Sequence, residues 1–250
     1  MPTFYTRQFG YGAEMKTATM FSTEVLIGAG LLPRSARATT PAHRPVRELK
    51  KDAGAIPWFG TVRNPFEWYL SFIRFCQRSP SGRQQIRPYE DATDGSFYEM
   101  IRAMILPEEY GIKGIGGSVY PYTPFEDEQF SVATFHYTQC YCVDGAMHLP
   151  ASTLVQKHAD VCLLNYAVNA DMPKRGWVAA LRAAGLALPS HAERRIHAHP
   201  PVNAAGGRAP YEVYDQHPDL VRLIMEKEPL VQIYGFDYVR GGGTRAPVFW

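Results

Sequence analysis

The sequence predicts an α/β fold: one domain over residues 1–250, in three layers, with a central parallel sheet between helices. Three observations predict it. Apolar residues make up 46% of the chain, enough for a sizeable core and too many for a disordered segment. The run AIPWFGTV at 55–62 is apolar without alternation, as a strand covered on both faces must be. Strand-like and helix-like segments also succeed one another with loops between them, the pattern of parallel crossover units.

The elements are predicted in order as follows. TFYTRQF at 3–9 is β-prone and predicts a first strand, with a loop through Gly10 and Gly12 after it. From Thr17 the spacing of Met20, Val25, Leu26 and Leu31 predicts a helix ended by Gly28–Pro33. Residues 33–47 carry Pro, Arg and Thr and predict a loop. The strand at 55–62 breaks at Asn64-Pro65, a cap and first-turn pair that opens a helix through Trp68, Leu70, Phe72, Ile73 and Phe75. Residues 78–94 predict a polar, exposed excursion, and Phe97–Ile105 a short helix. Residues 107–129 predict a long irregular stretch, of the kind that shapes binding sites. SVATFHYTQCYCV at 131–143 predicts a strand, 151–167 and 176–187 helices, 197–210 a loop, and 217–233 a last helix burying Leu220, Leu223, Ile224 and Leu230.

Charge and cysteine usage narrow the function classes. The net charge of +2 argues against a nucleic-acid partner, while leaving room for a local basic site. MPTFYTRQFG lacks the basic start and apolar run of a secretory signal, and no stretch reaches the ~20 apolar residues of a membrane span. A soluble, cytoplasmic protein is therefore the expectation. Of the four cysteines, Cys140 and Cys142 form a C-x-C that matches neither a zinc-ribbon nor a thioredoxin spacing, and on a strand the two would share one face. His197 and His199 have no third ligand at a metal-site spacing, so no metal is expected.

Two strand-to-helix junctions carry the chemistry. Ligands of parallel α/β sheets sit beyond the carboxyl ends of the strands, where helix N-termini offer amides and a positive dipole to anions. The first junction, GYGAEMKTAT at 10–19, brings Lys16, Thr17 and Thr19 to a helix start. A Walker A loop needs Gly before the Lys, and Met15 stands there. In the second, TVRNPFEWYLSF, Arg63 closes the apolar strand and Ser71 follows eight residues later, about two helical turns. An Arg at a buried strand end needs a partner, which is either a ligand phosphate or a protein carboxylate.

These segments resemble the sulfotransferase superfamily. Its R-[ND]-P-x-x-[RW]-x-x-S segment binds the 3′-phosphate of 3′-phosphoadenosine 5′-phosphosulfate, and its Arg and Ser match Arg63 and Ser71. Its 5′-phosphosulfate loop, P-K-[TS]-[GA]-[ST]-[TS], is similar to Met15-Lys16-Thr17-Ala18-Thr19-Met20, with Met15 for Pro and Met20 for Ser or Thr. Ser22 is the next hydroxyl along the chain. PDLVRLIMEKEPLVQIYGFDYV is similar to the closing helix and tail of carbohydrate sulfotransferases, and PVNAAGGRAPYEVY to the loop before it.

The resemblance implies a P-loop-NTPase-like sulfotransferase fold, with the matches covering the first third and last fifth of the chain. It implies a nucleotide site of Lys16, Thr17, Ala18, Thr19, Arg63, Ser71, Gly207 and Arg208. Lys16 would stabilise charge on the bridging oxygen. The acceptor would be a hydroxyl of a carbohydrate or small molecule. His43 is the first choice of base, because some members place a catalytic His in a comparable loop, and Glu14 is second. His136 and His158 are further candidates, and His136, inside the expected strand, reads as structural. Two other classes stand beside this one. A P-loop-like kinase or hydrolase would need Mg²⁺ and a strand-terminal Asp, for which Asp144 is the nearest candidate. A non-catalytic nucleotide-binding protein of the same fold would bind without turnover.

Overall fold

The computed structural model describes residues 4–12, 19–33, 45–115, 123–124, 131–171, 173–200 and 211–238. In chain order its elements begin with β1 (Phe4–Tyr5), β2 (Gly10–Gly12), α1 (Thr19–Gly28), α2 (Val46–Ala53), β3 (Trp58–Val62), α3 (Pro65–Arg78), α4 (Pro80–Ala92) and α5 (Phe97–Ile105). A 3₁₀ turn at Pro107–Tyr110 leads to β4 (Gly114–Ile115) and β5 (Thr123–Pro124). Then come α6 (Val132–Tyr141), α7 (Ala151–Val161), β6 (Tyr166–Asn169), α8 (Pro173–Ala183) and α9 (Ser190–Ala198). The last are α10 (Glu212–Gln216), α11 (Pro218–Lys227) and α12 (Pro229–Tyr234).

The main sheet runs β1–β2–β3–β6. β1 is antiparallel to β2, whereas β2, β3 and β6 are parallel. The fold is thus mixed α/β, mostly helical, around a small parallel sheet. β4 and β5 pair separately and antiparallel. Side chains of a strand alternate in direction, and here the alternation divides two cores. Trp58 and Val62 of β3 join one with α2, α3, α5, α6, α11 and α12. Phe59 of β3, Tyr11 of β2 and Val168 of β6 join the other with α1, α8 and α9. The unalternating run at 55–62 is apolar for this reason.

Several expectations are corrected. Residues 131–143 are not a strand: Ser131 caps α6 by accepting the Thr134 N–H at 3.2 Å, and all ten helical residues are buried. A helix buried all round has no polar stripe, so its sequence shows no helical period. The C-x-C therefore does not lie on a strand; Cys140 is in the last turn of α6 and Cys142 is its C-terminal cap. Residues 78–94 are not an exposed excursion: Ser79 accepts the Gly82 N–H and opens α4, which buries Ile86 and Tyr89. The stretch assigned to a loop at 33–47 ends inside α2, whose Val46 and Leu49 are buried one turn apart.

The helix expected at 151–167 stops at Val161, and its last two positions, Tyr166 and Ala167, begin β6, the third parallel strand. Asn165 directs that switch, its Oδ1 accepting the Trp58 N–H at 2.8 Å before β6 joins the ladder. The helix expected at 176–187 begins earlier, at Pro173, and ends at Ala183. The last helix is two, divided at Glu228-Pro229 because Pro cannot continue a helix and opens one readily.

The first strand is also displaced. The strand expected at 3–9 is only Phe4–Tyr5, and the glycine loop after it is β2. Glycine is poor strand material, but packing requires it here. A Cβ on Gly12 would lie 2.5 Å from Val46 and 2.9 Å from the Tyr141 ring; one on Gly60, its partner in register, would lie 2.5 Å from Leu164 and 3.0 Å from that same ring. Tyr141 of α6 crosses the two glycines and donates its hydroxyl proton to carbonyl oxygens at the strand ends, Thr61 at 2.9 Å and Gly12 at 3.3 Å.

Candidate functional site

β2, β3 and β6 all end on one edge of the sheet, since they are parallel and adjacent. β3 delivers Arg63 directly after its last residue, Val62. Asn64 then turns the chain: its Oδ1 accepts the Phe66 N–H at 3.1 Å, with Pro65 at the first helical position, as expected from the sequence. Asn64 Nδ2 donates to the carbonyl of Asp237 at 3.1 Å, across a sequence separation of 173. The tail segment YGFDY thereby sits on the N-terminus of α3. Gly235 supplies the left-handed cap of α12 (φ +62°), and the Tyr238 ring packs 5.3 Å from Phe66 and 5.4 Å from Tyr214.

The edge carries charge at its centre. Arg63 Nε donates to Asp171 Oδ1 at 3.1 Å, and the Asn64 N–H donates to Asp171 Oδ2 at 3.2 Å. Asp171 stands two residues past β6 and is itself fixed, its N–H donating to Asn169 Oδ1 at 2.8 Å. The carboxylate that an Arg at a strand end can take as partner is therefore present. Asn169 is buried, and its Nδ2 has no hydrogen-bond partner among the described residues. A buried amide without a partner is costly and marks a place where a ligand or water is expected.

Along α3 the pattern of burial singles out a stripe. Arg63, Glu67 and Ser71 are half-buried, while Asn64–Phe66, Trp68–Leu70 and Phe72–Ile73 are buried. Positions four apart share a helix face, so Glu67 and Ser71 lie on one side of α3, and Arg63 stands just before the Asn64 cap that opens the helix. Burial, together with the nearby Asp171 carboxylate and against the opposing pull of Arg63, raises the Glu67 pKa to about 7. Glu67 is thus half-protonated near neutral pH, the condition for a general acid or base. Sequence reading missed it; its position four residues after Arg63 was the available signal. Asp171 and Asn169 carry no local signal, because β6 begins inside the helical pattern of 151–167 and its pairing with β3 alone brings them to Arg63.

Other expected residues fall elsewhere. Glu14, Lys16, Thr17, Ala18, His43, Gly207 and Arg208 lie outside the described residues. Thr19 is the first residue of α1, and its side chain is not among those described. Ser22 is fully buried and accepts the Trp177 Nε1–H at 2.9 Å, so it serves the second core and not a phosphate loop. His136 is buried among Trp68, Phe72 and Phe135 in the first core. His158 contacts the Tyr137 hydroxyl. His197 lies 4.0 Å from Glu193, and the His199 ring packs on Phe21. Asp144 follows a helix instead of a strand and pairs with Arg47. Among the described residues, no three or more His, Cys, Asp or Glu side chains are grouped to hold a metal ion, and no helix is long and apolar enough to cross a membrane.

Comparison of the chain with protein-family models, curated proteins and solved structures found no match.

Proposed function

We propose that the protein is a sulfotransferase that moves a sulfuryl group from 3′-phosphoadenosine 5′-phosphosulfate to a hydroxyl of a carbohydrate or small molecule, on a P-loop-like three-layer fold. One observation carries the reading. β2 and β3 are parallel neighbours, with Gly12 opposite Gly60. β2, after which Lys16–Thr19 follow in the sequence, and β3, after which Arg63 follows, therefore run side by side to one sheet edge, about 4.8 Å apart. A bisphosphorylated nucleotide needs two anion sites at such proximity. The donor set suits an anion: the Arg63 guanidinium, the buried Nδ2 of Asn169 and the positive end of the α3 dipole. The meeting of the YGFDY tail with the Arg63 junction adds support, because two segments of the resemblance that lie far apart in sequence join at Asn64.

In this reading Arg63 and Ser71 hold the 3′-phosphate, with Gly207 and Arg208 beside it. Lys16, Thr17, Ala18 and Thr19 take the 5′-phosphosulfate. The donor supplies an activated sulfuryl group, and in-line transfer asks the protein for a cation at the bridging oxygen, Lys16, and a base at the acceptor, His43 or Glu14. Asp171 holds the Arg63 fork in position. The base is the residue whose substitution abolishes transfer while nucleotide binding persists.

Calorimetry with 3′-phosphoadenosine 5′-phosphate, ATP plus Mg²⁺ and GTP plus Mg²⁺ tests the proposal. The bisphosphate is expected to bind, and Arg63→Ala to weaken it by about 100-fold, the ~3 kcal/mol of two charge-assisted hydrogen bonds. Binding of ATP with Mg²⁺ and none of the bisphosphate would end the sulfotransferase reading. That outcome belongs to the second reading, a P-loop-like kinase or hydrolase. Asp171 favours it to this extent: a carboxylate does follow a strand adjacent to β3, as Mg²⁺-dependent phosphoryl transfer requires.

A further inference from the structure

Cys142 and Cys162 face each other in an isolated antiparallel bridge between the ends of α6 and α7. The bridge is held by its neighbours: the Val143 N–H donates to the Val161 carbonyl at 2.9 Å, and the Leu163 N–H to the Tyr141 carbonyl at 2.8 Å. The cysteines are therefore a non-hydrogen-bonded antiparallel pair, the kind whose Cα atoms stand about 4.5 Å apart and whose side chains are closest. Disulfides need Cα separations of about 4.4–6.8 Å, so the backbone already meets the requirement. Both thiols are free in this structure.

Their surroundings make the two sulfurs unequal. Cys142 is fully buried, whereas Cys162 is half-buried. The Tyr137 hydroxyl lies 3.2 Å from Cys162 Sγ, 2.7 Å from His158 Nε2 and 2.6 Å from the Tyr234 hydroxyl. Hydrogen bonding from the Cys142 thiol, joined by His158 and Tyr137, favours the Cys162 thiolate, and the same partnership holds the proton on Cys142. The thiolate is the nucleophile of thiol oxidation, and a thiol poised beside it resolves the product.

We propose that Cys142 and Cys162 are a redox-active dithiol, a disulfide-forming site whose oxidant is a hydroperoxide such as hydrogen peroxide. The Cys162 thiolate attacks one peroxide oxygen; the S–O bond forms, the O–O bond breaks, and the departing hydroxide takes up a proton as water. The Cys142 thiol then attacks the Cys162 sulfur. The S–S bond forms, the S–O bond breaks, and the hydroxyl leaves with the Cys142 proton as a second water. The two sulfurs give up two electrons and the peroxide receives them. The product closes a ring over residues 142–162 that contains α7 and ties it to α6, beside the Tyr137–Tyr234 contact.

The test is peptide mapping of the full chain after exposure to hydrogen peroxide, acid quenching and alkylation of the remaining thiols. Chymotrypsin cleaves after Tyr141 and so separates Cys140 from Cys142. The expected result is a peptide bearing Cys142 linked to one bearing Cys162, a loss of two of the four free thiols, and reversal by dithiothreitol. Cys140→Ser should retain the link. Cys142→Ser should stop at a sulfenic acid on Cys162 that dimedone traps. A Cys140–Cys142 link, a link between two copies of the chain, or four free thiols after peroxide would each overturn the proposal. Should Cys142→Ser fail to fold, the unsubstituted chain decides alone, because its linkage pattern distinguishes all of these outcomes.

Discussion

Arg63 and Asp171 illustrate how one residue can satisfy both needs of a buried strand end. The ion pair keeps the guanidinium from being buried uncompensated, and it also fixes the direction in which the fork points. Glu67, one turn further, responds to both. Its pKa is raised to about 7 chiefly by burial, so the folded state holds a proton that the unfolded chain has lost. The unfolded chain binds fewer protons between the ordinary Glu range and pH 7, hence stability falls as pH rises through that window. Glu67→Gln is expected to leave the thermal midpoint nearly unchanged at pH 4 and to raise it at pH 8. Equal midpoint changes at the two pH values would count against the carboxyl as the titrating group. Arg63 and the spacing to Ser71 were legible in the sequence because a charged residue ending an apolar run is a local feature. Asp171 was not, because its role depends on β6 pairing with β3.

Among the elements, the junction of α11 and α12 is secured by Glu228. The carboxyl is fully buried and accepts from the hydroxyls of Tyr69 at 2.8 Å, Ser131 and Thr134, and from the Leu230 N–H at 3.5 Å. One side chain thus ties α3, the start of α6 and the α11–α12 break. Burial raises its pKa, while the hydroxyl donors oppose the rise. Glu228→Ala would leave three buried hydroxyls without their acceptor, and urea denaturation is expected to show a loss of about 3 kcal/mol. The Glu-Pro pair is the local mark of this break, while the apolar spacing on either side of it keeps one helical period across 217–233. α6 shows the opposite case: its ten residues are all buried, so periodicity carried no information and its β-branched and aromatic content suggested a strand.

At the scale of the whole molecule, the sheet belongs to two cores at once. Trp58 and Trp68 lie in one and Trp177 in the other, and β3 contributes side chains to both. Neither core can lose its packing without exposing a face of the sheet. One cooperative transition is therefore expected in urea: fluorescence of a variant carrying both Trp177→Phe and Trp250→Phe, which leaves Trp58 and Trp68 to report the first core, should have the same midpoint as far-UV circular dichroism. Two separate midpoints would show that the cores unfold independently.

The sequence by itself determined the α/β class, β3 and its buried character, the Asn64-Pro65 cap that opens α3, and α5 to the residue. Each is written in a local pattern: an apolar run, a capping pair, a spacing near the helical repeat. Only the tertiary structure decided β2, β6 and α6, the partnership of Arg63 with Asp171, and the meeting of Cys142 with Cys162. Those depend on residues distant in the chain. Gly12 becomes part of a strand that Tyr141 crosses, and a segment after a helix becomes a strand because β3 offers a ladder. The energies that fix them come from burial and from paired polar groups, neither of which a local stretch of sequence records.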